Sequence, residues 1–373
     1  MNPIPASYEE SRQRFRDDLA AVRATWPEAQ VDSHYLPGDE DLSIDWIWAD
    51  ATQAKERLLI LTTGEHGIEG YAGSAMLQIF IEEFLLRLDP KTTGLLIVHA
   101  INPWGMKHQR RVNGNNVDLN RNFVKDISAL NGSNPDYSRF AELLEPNRAL
   151  GGILGEKMGF LAHTIFLLAQ HGVKRLREAT LRGQYNHPRG VYYGGQSLQE
   201  ETIFMMELFR KVIGSYRQLL HLDLHSGYGP RSQMSLVNSP HEKMNAQETQ
   251  NKYGVPRVVE ANPEDFYSIQ GDMIDWEYSL VKNEFPHLQH FATTFEFGTF
   301  GDSLWGIIRS LRSVIFRNQT DQFGASPAAS KWIDHEYQEH YLPSEPAWFL
   351  KGQADARQGF EGILKAEGYT NIN

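Results

Sequence analysis

The chain contains no cysteine. Disulfides and thiolate ligands are therefore excluded, and any bound metal must be held by His, Asp or Glu. Positive charge is also scarce: 36 Lys and Arg stand against 47 Asp and Glu, a formal net charge of −11. That balance disfavours an electrostatic grip on nucleic acid or on an anionic membrane surface. No uncharged apolar run is long enough to span a bilayer. The amino-terminal stretch "MNPIPASYEESRQRFRDDLA" has no basic region followed by an apolar core, so it does not read as a secretory signal, and a cytoplasmic location is expected. Internal repeats and low-complexity tracts are lacking as well. What remains is an ordinary mixture, 41% hydrophobic and 22% charged, in 373 residues that can bury a substantial core.

Two near-continuous apolar runs, "RLLILTT" and "GLLIVHAI", flank a segment from Gly70 to Leu88 whose apolar positions recur at helical spacing. This pattern predicts a βαβ unit with both strands buried in a parallel sheet. Further strands are expected at "LLHLDLHS", "QMSLVNS" and "HFATTFEFG", with helical patterns around them, so the fold class is α/β. Between about 125 and 197 this rhythm is lost. We read that stretch as an insertion into a single domain, with one long helical pattern from about 155 to 183. A helical extension is expected from about 319, including a final amphipathic helix from Ala347.

Four short stretches carry polar groups where chemistry needs them. In "TTGEHGIEG" His66 and Glu69 lie three residues apart just after a buried strand, where open α/β sheets place their sites. Alone this pair is weak evidence, because about one H-x-x-E is expected by chance in a chain of this size. In "HLDLHSG" the residues His221, Asp223 and His225 share one face of a buried strand, and buried polar groups need partners. His225, at the strand end, suits a third metal ligand. Asp223 could orient a ligand imidazole, whereas a hydrogen-bonded polar cluster better explains His221. In "RRVNGNNVDLNRNF", Arg110, Arg111 and Arg121 offer planar forks for a carboxylate or a polarised carbonyl; a solvated basic loop is the plainer alternative. In "TTFEFGTFG", Glu296 interrupts a strand of Phe and Thr, as a proton-transferring carboxylate or as one half of a salt bridge.

In this order, "EHGIEG", "NPWG", "RVNGNNVDLNRNF", "DLHSG" and "FEFG" resemble the zinc carboxypeptidase superfamily. The segment "HPRGVYYGG" and the overall length resemble a bacterial branch of it related to the aspartoacylase and succinylglutamate desuccinylase group. The resemblance implies a central mixed, largely parallel sheet flanked by helices on both faces, and one zinc ion per chain. Carried over residue by residue, it makes His66, Glu69 and His225 the zinc ligands, Glu296 the general base and Arg111 the oxyanion-stabilising arginine, with Arg110 as fallback. It makes Asn120 and Arg121 the pair that holds the substrate carboxylate. The stretch "FYSIQGDMIDW" is similar to the family segment that would give Tyr267 a substrate-closing role and set Ile274 in an apolar specificity pocket, although its interval to Glu296 is longer than the family pattern.

The activity this implies is hydrolysis of an amide bond beside a free carboxylate. A carboxypeptidase acting on peptides is the first expectation. An N-acyl amino acid deacylase is the second, since "HG-x-E" and "DLH" resemble that branch. A zinc-binding protein without catalysis is the third. Neither a nucleic-acid partner nor a membrane is expected, and the oligomeric state is left open.

Overall fold

The computed structural model describes residues 4–260 and 269–370. These form one α/β domain around an eight-stranded mixed sheet. Its strands are β1 (Gln30–Tyr35), β2 (Ser43–Ala49), β3 (Arg57–Thr63), β4 (Thr93–His99), β5 (Gln218–Ser226), β6 (Met234–Asn238), β7 (Val258–Glu260) and β8 (Gln289–Phe297). The spatial order is β1-β2-β4-β3-β5-β8-β6-β7. The four central strands β4, β3, β5 and β8 run parallel, and β2 and β6 flank them antiparallel.

Alternation along the central strands explains why both faces are covered. Leu59 and Leu61 of β3, with Leu220, Leu222 and Leu224 of β5, pack under the helices Gly70–Glu83 and Pro346–Ala366. Leu58 and Ile60, with Leu219, face the helices Glu200–Ile213 and Met273–Glu284 on the other side. The 70–83 helix lies close on the sheet because Gly73 has no side chain: a Cβ there would stand 1.7 Å from Thr63 Oγ1. Chain order reverses between β3 and β5. From β3 the chain crosses to β4 on one side, and later returns to β5 on the other. Such a switch opens a crevice at the carboxyl ends of the strands.

A third apolar cluster joins the helices Ile153–His171, Leu304–Phe323 and Pro327–Tyr341 beside this crevice. Two boundaries differ from expectation here. The helical pattern from about 155 to 183 is two helices, Ile153–His171 and Val173–Leu181, broken at Gly172, whose φ of +83° an α-helix does not accept. The extension expected from about 319 starts later: the 304–323 helix runs through that point to Gly324, and the helices Pro327–Tyr341 and Pro346–Ala366 follow. No helix among the described residues is long and apolar enough to cross a membrane.

Candidate metal centre

At the end of β3 the chain passes Gly64 into a single 3-10 turn, Gly67–Glu69, for which His66 is the extended residue at the start. This turn is pinned by Ile68 N–H to the Arg110 carbonyl (2.9 Å) and Gly67 N–H to the Arg111 carbonyl (3.3 Å). His66 Nδ1 then lies 3.0 Å from Glu69 Oε1. From the end of β5, His225 Nδ1 lies 3.0 Å from Glu69 Oε2, which also accepts from Ser226 N–H at 3.0 Å. One ligand atom from each of His66, Glu69 and His225 falls within 4.8 Å of the others, and all three residues are buried. Among the described residues, His66 Nδ1 has no hydrogen-bond partner of acceptable geometry.

Two imidazole nitrogens and a carboxylate, converging with one nitrogen unsatisfied, fit a three-ligand metal site such as zinc occupies. The outer nitrogens of the same rings are held by carboxylates: His66 Nε2 by Asp118 Oδ1 at 3.1 Å, His225 Nε2 by Asp223 Oδ2 at 2.6 Å. Carboxylate partners of this kind fix tautomer and ring orientation in metal-ligating histidines. Burial alone would raise the Asp118 carboxyl, but the guanidiniums of Arg111 and Arg121 hold it well below the usual range. Burial likewise works against ionising Glu69, and the charge of His66 with the bond from His225 lowers it.

The arginines separate cleanly. Arg111 sits at the centre, its Nε 3.0 Å from Asp118 Oδ2 and its Nη1 3.5 Å from Glu69 Oε1. Arg110 turns away to Asp321 on the 304–323 helix. Glu296 stands beside His225, its register partner across β5 and β8. Its Oε2 is buried and has no partner among the described residues, and burial followed by the charge of Glu69 pushes its carboxyl up to about 8.

Arg121 is 2% exposed, and its Nε has no partner among the described residues, while Nη1 donates to the Asn120 carbonyl at 2.8 Å. An unsatisfied guanidinium donor can take an anionic group. Asn120 is occupied elsewhere. Its Nδ2 donates to Asp272 Oδ2 (3.1 Å) and its Oδ1 accepts from Met273 N–H (3.0 Å), docking the turn onto the start of the 273–284 helix. Ile274 is buried in the first turn of that helix. Tyr267 lies outside the described residues.

A family model described as "Protein of unknown function (DUF2817)" matches residues 5–351. The chain belongs to this family. No curated protein sequence matches it. Its fold is similar to that of a carboxypeptidase A from Helicoverpa armigera, at 14% identity and a TM-score of 0.48, over 95% of this chain and 75% of that one. Bovine thrombin-activatable fibrinolysis inhibitor gives 13% identity and a TM-score of 0.47, over 89% and 99%. A succinylglutamate desuccinylase from Chromobacterium violaceum gives 14% and 0.37, over 81% and 74%.

In this DUF2817 chain the polar network extends well past the centre. Asp223 Oδ1 accepts from Thr62 Oγ1 (2.6 Å), which lies 2.7 Å from His221 Nε2. His221 Nδ1 lies 2.7 Å from Glu277 Oε2, and Glu277 Oε1 lies 2.7 Å from His290 Nε2. Burial works against the Glu277 charge, yet the His221 charge holds its carboxyl down at about 2.

Two participants, Asp118 and Glu65, were not singled out from sequence. Asp118 was within reach, since it opens "DLNRNF". Glu65, fully buried and 3.6 Å from His225 Nε2, gave no signal beyond its neighbour His66. Tyr192, one of the groups of "YNHPRGVYYGG" that the sequence offers as pocket lining, sits about 6.0 Å from both Arg111 and Arg121 guanidinium carbons, at a φ of +56° that a non-glycine residue seldom adopts.

Proposed function

We propose that this protein is a zinc-dependent hydrolase that cleaves an amide bond next to a free carboxylate, acting as a carboxypeptidase on peptides. The observation that carries the reading is Glu296: a half-buried residue with one buried carboxylate oxygen that has no partner among the described residues, beside a His, Glu, His cluster whose outer nitrogens are already held. A purely structural metal site is closed and needs no such group, which disfavours a non-catalytic role.

His66, Glu69 and His225 would hold the metal. When bound, it supplies Lewis acidity that polarises a carbonyl and makes water nucleophilic near neutral pH. Asp118 and Asp223 keep the ring protons on Nε2 of the two histidines, leaving both Nδ1 lone pairs turned inward. Glu296 Oε2 takes a proton from the attacking water and returns it to the leaving nitrogen. Arg111, braced by Asp118, offers its remaining N–H groups to the developing oxyanion. Arg121 Nε receives the carboxylate, so that only a bond close to that carboxylate reaches the cluster.

Enclosure of Arg121 supports a second reading. The Tyr185 hydroxyl donates to the Arg121 carbonyl at 2.6 Å, and a Cβ on Gly183 would stand 2.5 Å from Arg121 Cδ. Such a tight wall suits a short substrate, as in N-acyl amino acid deacylation. Mass spectrometry on zinc-loaded protein with free peptides, the same peptides amidated, and N-acyl amino acids separates the readings. Loss of single residues from free peptides alone is the expected outcome. Cleavage of acyl amino acids alone would establish the deacylase, and no product from any class would overturn both.

A further inference from the structure

The 153–171 helix carries a feature that the hydrolytic site does not use. Leu154, Met158, Ile165 and Phe166, with Val173 just beyond it, are 74%, 64%, 54%, 62% and 58% exposed. Between them on the same face lie Gly155, Gly159, Ala162 and Ala169, also exposed. None of the exposed positions from 154 to 173 is charged. The two charged residues within the helix are engaged beside this face, Glu156 with Arg148 and Lys157 over the Trp332 ring at 3.9 Å.

The glycines are unexplained by the chain's own packing. Among the described residues a Cβ at Gly155 or Gly159 would meet nothing within 4 Å, yet each glycine weakens a helix relative to alanine. They border an open groove lined by Arg148, Gly152, Ile153 and Leu154. Close approach of another helix would account for both.

We propose that this face is the interface with a second copy of the chain, the two 153–171 helices packing antiparallel about a two-fold axis beside Ala162. The stripe is self-complementary in that arrangement, as an isologous contact must be. The partner's Ile165 falls opposite Gly159, the partner's Ala169 opposite Gly155, and the partner's Phe166 beside Met158. Size agrees as well. The five large side chains expose about 600 Å² together, against roughly 800 Å² per partner in a standard interface, and monomers seldom expose so large an apolar patch. The 304–323 helix starts at the opposite end from its Leu150–Ala325 bridge and Phe160–Phe316 ring contact with this region, and it exposes Leu304, Trp305 and Ile307 there.

Sedimentation equilibrium of the full chain tests this. The wild type should give about twice 42.6 kDa, and Phe166→Asp should raise the dissociation constant on the order of a hundredfold, as expected of a central apolar contact. Because the chain has no cysteine, Ala162→Cys adds a lone thiol, which should cross-link to a covalent dimer on oxidation, whereas Ala354→Cys should not. A wild type of 42.6 kDa at every concentration would overturn the proposal. So would a dimer unaffected by Phe166→Asp, or an A162C dimer that fails to cross-link. Monomeric protein that binds neutral lipid vesicles through Phe166 would assign the stripe to a membrane surface instead.

Discussion

Two buried histidines stand four residues apart on one face of β5 and have opposite surroundings. His221 is saturated: Glu277 holds Nδ1 and Thr62 holds Nε2, each at 2.7 Å. His225 has its Nε2 held by Asp223, while Nδ1 points at a carboxylate that a second imidazole also faces. Identical residue type, strand and burial therefore carry different chemistry. What distinguishes a candidate ligand is the nitrogen left facing other donors, since a histidine with both nitrogens bonded has nothing further to offer.

Exchanging alanine for each histidine should break the comparison most visibly. His225→Ala is expected to abolish both metal retention and hydrolysis, read by elemental analysis and peptide turnover. His221→Ala should keep about one zinc per chain, as for a single three-ligand site, and instead lower the unfolding free energy by roughly 3 kcal/mol, since it strands a buried carboxylate. Equal metal loss in both would erase the distinction.

Next in size, Glu296→Gln should reduce kcat about 10³-fold, in the range of general-base loss, with zinc content unchanged. Loss of the metal would make Glu296 a ligand. Asp223→Asn keeps the shape but removes the charge behind His225; a 10- to 100-fold weaker zinc affinity, typical of such outer partners, should appear in competition with a chelator.

The saturated end has its own pH signature. Glu277 is depressed to about 2 in the folded protein, so its contribution is fully present above its ordinary range near 4.5 and is lost as pH falls toward 2. Urea denaturation between pH 5 and 2.5 should show that loss, and Glu277→Gln should flatten it. Thr62→Val, which removes one hydroxyl between the two histidines, should cost only about 1 to 2 kcal/mol.

Legibility in the sequence followed burial. Strands β3, β4, β5, β6 and β8 announce themselves as apolar runs because the sheet covers them. β1 is an exposed edge with mostly polar residues, and β2 contains a buried Asp45 that serves Arg12 and Arg16 rather than the core, so neither has the pattern of a buried strand. β7 has only three residues among those described. At the site, residues of one short motif were readable, as His66 and Glu69 were. Their meeting with His225, Arg111 and Glu296 is tertiary, and in sequence only the order of the motifs suggested it. Asn120 shows the limit: its place in "DLNR" implied a substrate contact, while nothing in the sequence signalled that one amide N–H and its Oδ1 dock Asp272 and Met273.

The pairing of β3 with β5 also bears on how the protein is made. Thr62 and Asp223 are separated by 161 residues, so at ordinary rates of translation β3 waits on the order of ten seconds for its neighbour to leave the ribosome. Until then one edge of the strand that will become the middle of the sheet is unpaired, with Leu58, Leu59, Ile60 and Leu61 along it. The nascent chain is most prone to aggregate during that interval, and a chaperone that shields residues 57–63 would raise the yield of folded protein.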